Sequence, residues 1–252
     1  MNEFSTIAQL GILIARPASL VAAAPVFGGA FAPAQVRLGV SVLLAILIAP
    51  AVPPMAFSST LGLGVLVARE LAIGLIMALA LRAIIAGAEL GGHLTGNQLM
   101  LSYGSIVDPQ GGVRNNVVAN LYGNLTLLTF LAINGHHALL RALVASYTAL
   151  PIGAGGVSPS MVGSVTQLLG IVFVLGLRLA APLIVVMLLV EVGMALMARV
   201  APSLNLMAVA PPIRIAIGLL AIAAMVPLLP SVVTRASSGL AQVALQAAAA
   251  FR

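Results

Sequence analysis

A chain of 252 residues with 62% hydrophobic and 6% charged side chains cannot build a water-soluble surface, since soluble domains carry about 25% charged residues. Its 11 cations, all arginine, and 5 acids give a net charge of +6. The arginines are spread from Arg16 to Arg252 without the cluster that nucleic-acid binding needs, and cysteine is absent, which excludes disulfides and thiol chemistry.

The mean hydropathy of +1.19 and long apolar runs without period-two alternation predict an all-α, polytopic membrane protein, not a barrel. About six hydrophobic helices are expected. The first is Phe4–Ala24, which contains Arg16-Pro17. Glu3 before it and Arg16 inside it argue against a cleaved secretory signal, so it reads as a retained helix. Leu38–Phe57 follows, interrupted by Pro50 and Pro53-Pro54.

Val65–Ile85 is the third run. Ala68, Ala72, Ala80, Ala88, Gly92 and Gly96 continue along it at four-residue steps or multiples of them, and Gly87/Gly91 and Gly92/Gly96 form G-x-x-x-G pairs. Small residues at that spacing let helix backbones approach closely, so one face is expected to pack on another helix. The fourth run is Val117–Ile133. After it, Pro151–Thr166 is rich in Gly, Ser and Pro and free of charge, the best boundary between a region 1–150 and a region 167–252.

Val165–Met197, the fifth run, carries Arg178, Pro182 and Glu191, and the sixth, Ile215–Val233, carries Pro227 and Pro230. So many prolines and charges predict helices that are broken or inclined and packed against protein. With six spans, Arg37, Arg114, Arg199 and Arg214 fall on one side and Arg69, Arg141, Arg235 and Arg252 on the other. That balance gives the positive-inside rule no asymmetry from which to assign an orientation.

The candidate chemistry is sparse. His136 and His137 project about 100° apart on a helix and His93 stands alone, so a helix-end turn at Asn134-Gly135-His136 is the simpler reading. Met187, Met194 and Met197 share a helical face, read as packing. The charges Arg69, Glu70, Arg82, Glu89, Arg178 and Glu191 sit among apolar residues, where pairing or snorkelling is expected. Arg69 adjoins Glu70, and Arg82 precedes Glu89 by two helical turns, whereas Arg178 is too far from Glu191 for a local pair. Serine nucleophiles, phosphate loops and dinucleotide fingerprints are not found, and no cofactor or metal is expected.

The stretch Gly104–Asn116 holds Pro109, three glycines, Asp108 and Arg114 between two strong apolar helices. Asp-Pro followed by a Gly pair dictates a turn. The stretch is either an ordinary loop or irregular backbone inside protein or lining a watery cavity.

At this stretch the chain resembles a known family, the FliR-type subunit of the bacterial flagellar export gate and its type III secretion counterpart in virulence systems. The likeness rests on Arg16 with Pro25-Val26-Phe27, Val36-Arg37 leading to Pro50, Glu70 with Gly74, and Gln98. It continues through Leu101-Ser102-Tyr103, Val107-Asp108-Pro109, Phe130-Leu131, Asn134-Gly135-His136, Ser146-Tyr147 and Leu150-Pro151-Ile152-Gly153. Leu179 to Pro182-Leu183-Ile184, Arg199-Val200-Ala201-Pro202, Leu204-Asn205 and Pro212 close it. Met100 departs from the family, which often has glycine there.

The resemblance implies a non-enzymatic subunit of a hetero-oligomeric gate in the bacterial inner membrane and flagellar basal body, its helices packed as hairpins with P-type and Q-type subunits. B-type and A-type export subunits, unfolded export substrates and membrane lipid are the further implied partners; nucleic acid is not. Region 1–150 then looks like a P-type subunit and 167–252 like a Q-type hairpin with a short tail. The stretch after the third helix, with Gly104, Ser105, Ile106, Val107, Asp108, Pro109, Gln110, Gly111, Gly112 and Arg114, maps onto a pore plug. Rival readings are a small-solute secondary transporter, which broken helices and buried charges also suit, and an intramembrane hydrolase using His93 or His136.

Overall fold

The computed structural model describes residues 3–28, 32–52, 60–99, 116–153, 160–201 and 206–238. Among these, every regular element is helical: α1 (Glu3–Ala23), α2 (Pro25–Gly28), α3 (Ala34–Ile48) with a 3-10 turn at Ala49–Ala51, and α4 (Thr60–Gln98). Then come α5 (Val117–Ala132), α6 (Gly135–Ala149), α7 (Ser160–Val200), α8 (Leu206–Met225), a 3-10 turn at Val226–Leu228, and α9 (Leu229–Ser237).

The six apolar runs of the sequence each correspond, in order, to a helical element, but they differ in reach. Among the described residues three stretches are long and apolar enough to cross a membrane: Gly62–Gln98, Thr166–Val200 and Ala208–Ser237. The pair α5 and α6 forms a fourth, broken stretch bent by 69°, while Gln9–Ala23 and Ala34–Ile48 are shorter apolar helices. The helix α6 lies outside the expected runs, because Arg141, Ser146, Tyr147 and the His136-His137 pair dilute its hydropathy.

Prolines break the helices less often than expected. Pro50 and Pro227 do fall in 3-10 turns, but α1 runs through Pro17, α7 through Pro182, and α8 through Pro211-Pro212. Proline removes one backbone donor and crowds the preceding turn, so a helix continues through it where neighbouring groups satisfy the freed carbonyl.

The break between α5 and α6 has a different origin. Asn134 adopts the left-handed conformation, φ 57° and ψ 30°. Its N–H donates to the Leu131 carbonyl at 3.0 Å, and its own carbonyl accepts from His137 N–H at 3.0 Å and Ala138 N–H at 3.3 Å. A side chain at Gly135 would overlap the Phe130 ring, so the turn requires glycine there. The Asn134-Gly135 pair is thus a built corner.

The chain divides into two compact units. The first comprises Met1–Ala83, Phe130–Leu169 and Ser237–Arg252; the second comprises Ile84–Thr129 and Gly170–Ala236. In the first, Leu13 and Leu20 of α1, Met77 and Leu81 of α4, and Leu139 and Leu143 of α6 are buried. In the second, Ile84, Leu99, Tyr122, Leu183 and Met187 are buried. Within the most apolar window of Gly62–Gln98, 67% is buried inside the chain, against 33% for Thr166–Val200 and 17% for Ala208–Ser237. The last helices therefore keep most of their apolar surface, with Phe173, Leu189 and Leu220 exposed, for contact outside this chain.

Candidate functional site

In the first unit the guanidinium of Arg16 is completely buried and ties three helices together. Its Nε donates to Glu70 Oε2 of α4 at 2.7 Å, and Nη2 lies 2.6 Å from the same oxygen. Nη1 donates to Ser146 Oγ of α6 at 2.8 Å, and Nη2 donates to the Leu150 carbonyl at 3.1 Å. The Tyr147 ring stacks beneath the guanidinium carbon at 4.1 Å, a cation–π contact strengthened by the dry surroundings.

Pro17 makes a further bond possible. In a regular helix the N–H of residue 17 would bond the carbonyl of Leu13, and proline has no N–H to offer. Tyr147 supplies the missing donor, its hydroxyl bonding the Leu13 carbonyl at 3.0 Å. One turn beyond Glu70, a side chain at Gly74 would overlap Ser19 Oγ and the Arg16 carbonyl, so glycine lets α4 close on α1 at this crossing. An isolated buried charge is costly. Here the paired carboxylate, two further oxygen acceptors and an aromatic face offset that cost.

In the second unit, the glycines of α4 form two contact faces. A Cβ at Gly87 would come within 3.0 Å of Leu175 Cβ, and one at Gly91 within 2.9 Å of Leu179 Cβ, both on α7. The fit is mutual, since a Cβ at Gly176 would lie 3.0 Å from the Gly87 carbonyl oxygen. Gly92 faces α5 instead, where a side chain would run into the backbone of Ala119. Gly96 leaves a notch filled by the side chain of Asn116.

Asn116 is the pivot of this region. Its Oδ1 accepts from Val118 N–H at 3.0 Å and Ala119 N–H at 3.2 Å, an N-cap for α5, and its Nδ2 donates to the His93 carbonyl at 3.4 Å. On the other side, buried Leu99 packs against Gly218 of α8, where no side chain could fit. The start of α5 is therefore held against the last turns of α4, and Leu99 and Asn116 are both anchored. Residues 100–115, which include Met100 and Gly104 through Gly112 and Arg114, lie between these anchors and outside the described residues.

Sequence comparison decides the kinship of this scaffold. The family model for bacterial export proteins, family 1, matches residues 7–240. The flagellar biosynthetic protein FliR of Caulobacter vibrioides is 31% identical over 225 residues, covering 87% of this chain and 90% of that protein. FliR of Escherichia coli is 30% identical over 218 residues, 85% of this chain and 82% of that protein. The Yop proteins translocation protein T of Yersinia pestis is 29% identical over 185 residues, 72% of this chain and 71% of that protein.

The chain belongs to the bacterial export protein family. Members of this family are structural components of secretion machinery, not enzymes. The export-family motifs of the sequence gain a geometry here: Arg16, Glu70 with Gly74, Ser146-Tyr147 and Leu150, scattered over the chain, converge on one buried network. Phe130 and Asn134-Gly135 converge on the corner between α5 and α6.

The charged residues singled out by sequence pair differently from their spacing. Glu70 makes its close ion pair with Arg16, 54 residues earlier, while its neighbour Arg69 is half-buried. Arg82, Glu89 and Arg178 are exposed. The aliphatic stem of Glu89 covers Gly123, where a Cβ would lie 3.0 Å from its Cγ. Glu191 pairs with Arg214 of α8 at 3.2 Å, a partner that no local pattern pointed to. Among the described residues no group of three His, Cys, Asp or Glu side chains could hold a metal. The His136 and His137 rings stand 4.2 Å apart at the start of α6. Of the linker 151–166, residues 154–159 lie outside the described residues.

Proposed function

We propose that this chain is a subunit of a type III protein-export gate in the bacterial inner membrane, acting in flagellar assembly with P-type and Q-type subunits. In this reading B-type and A-type subunits complete the apparatus, and unfolded polypeptides are the cargo. The segment Gly104–Arg114 is the plug that closes the channel at rest; Pro109 and Gly111-Gly112 let it bend, and Asp108 and Arg114 hold it. Region 1–150 acts as a P-like half and 167–252 as a Q-like hairpin.

The observation that supports the plug most directly is the clamp at its base. Leu99 against Gly218 and Asn116 in the Gly96 notch hold the residues on either side of 100–115 on a helical frame. A plug needs such a rigid base. The apolar faces left uncovered on α7 and α8 suit neighbouring subunits and lipid. The FliR relatives support a flagellar role; the Yersinia relative supports a second reading, the same gate in a virulence secretion system.

Co-purification from native membranes, with intact-mass identification of what travels with the chain, tests this. P-type and Q-type subunits are expected. A monodisperse chain that binds a small solute by itself would instead establish the transporter reading.

A further inference from the structure

Two adjoining cavities in the first unit have a chemistry that the gate does not use. One, of about 320 Å³, is lined by Arg37, Ser41 and the methyls of Ala18, Ala22 and Ala34. The other, of about 550 Å³, runs between α1 and α4 and is walled by Ala22, Ala68, Ala72, Leu71 and Leu75. Ala22 borders both, so the cationic pocket and the apolar groove lie side by side across α1.

The cationic pocket has no anion. Among the described residues Arg37 makes no ion pair, and its buried Nε has no hydrogen-bond partner. The Ser41 hydroxyl is already spent on the Arg37 carbonyl at 2.7 Å, which leaves the guanidinium as the group free to meet a ligand. Glu70 is committed to Arg16 and so does not answer this charge.

Arg37 lies in the first turn of the apolar helix α3, beside this alanine-lined surface. A guanidinium fork suits a phosphate oxygen pair, and an alanine-walled groove beside it suits a hydrocarbon chain. We infer that this surface binds one membrane phospholipid, its phosphodiester on Arg37 and an acyl chain along the groove from Ala22 to Ala72. Free phosphate shares the headgroup chemistry but gains nothing from the groove.

Native mass spectrometry of the full chain in mild detergent, with added phosphatidylglycerol, tests this. One retained lipid is expected, with about tenfold weaker retention of diacylglycerol, which lacks the phosphate, and of phosphatidylglycerol by Arg37→Gln, the change expected from losing one charge-assisted contact. Arg37→Lys should keep part of the binding. Ala68→Leu, at an exposed helical position that tolerates leucine, fills the groove and should lower retention without touching the charge. Equal lipid retention by Arg37→Gln and wild type would overturn the proposal. So would a wild-type chain that holds no lipid, full retention by Ala68→Leu, or competition by millimolar inorganic phosphate.

Discussion

The Tyr147 hydroxyl donates to the carbonyl of Leu13 at 3.0 Å, the carbonyl that Pro17 deprives of its helical partner. A proline in the first apolar helix and a tyrosine 130 residues later in α6 thus solve one problem together: an unsatisfied carbonyl in a dry interior. A double-mutant cycle tests the coupling. Tyr147→Phe strands the carbonyl and should cost about 1–3 kcal/mol in unfolding of the detergent-solubilised chain. In a Pro17→Ala background the restored N–H takes over, so the same change should cost clearly less. Equal costs in both backgrounds would show that the two residues act independently.

The Arg16–Glu70 pair is expected to behave as a buried unit. Glu70→Leu leaves a guanidinium uncompensated at a fully buried site and should destabilise the chain by about 3–5 kcal/mol. Replacing both members, Arg16→Met with Glu70→Leu, should recover much of that loss, since the desolvation cost disappears with the charges. Thermal unfolding of wild type, Glu70→Leu and the double variant makes the comparison. A double variant no more stable than Glu70→Leu alone would assign the loss to packing.

The glycines of α4 should separate into two classes. Gly92→Ala and Gly96→Ala push a methyl into the Ala119 backbone and the Asn116 side chain, and each should cost about 1–3 kcal/mol through overpacking. Gly64→Ala and Gly170→Ala meet nothing within 4 Å and should stabilise their helices by about 0.5–1 kcal/mol. Unfolding midpoints that fail to separate the two pairs would refute the close approach.

Removing the N-cap should loosen the base of the segment 100–115. Asn116→Ala takes away the acceptor for two α5 N–H groups and should cost about 0.5–2 kcal/mol, whereas Asn116→Asp, which keeps the acceptor, should cost less. Hydrogen exchange over the first turn of α5 reads this out. Protection unchanged in Asn116→Ala would show that the cap does not hold the helix start.

Much of the fold was legible in the sequence, because long apolar runs in a chain with 6% charged residues leave helices as the natural choice. The helix α6 was not, since its polar side chains serve the interior: Ser146 and Tyr147 face Arg16, and only the tertiary structure shows that they are buried. Arg69 adjoins Glu70 in the sequence, but the hydrogen-bonded ion pair of Glu70 is with Arg16, 54 residues away, a separation that no local spacing reveals. The G-x-x-x-G pairs announce close packing but not that Gly87/Gly91 and Gly92/Gly96 serve different helices. Asn116, directly before the apolar run, carries a local N-cap signal, answered by the N–H groups of Val118 and Ala119. Its second role, in the Gly96 notch, depends on what lies opposite.

The gate reading is tested most directly by ion conductance across membranes that contain the assembled complex with Ser105–Arg114 deleted. With Leu99 and Asn116 retained as anchors, the complex should assemble at wild-type levels and yet leak ions at rest. Wild-type assembly with unchanged conductance would contradict the plug and the closed gate that depends on it.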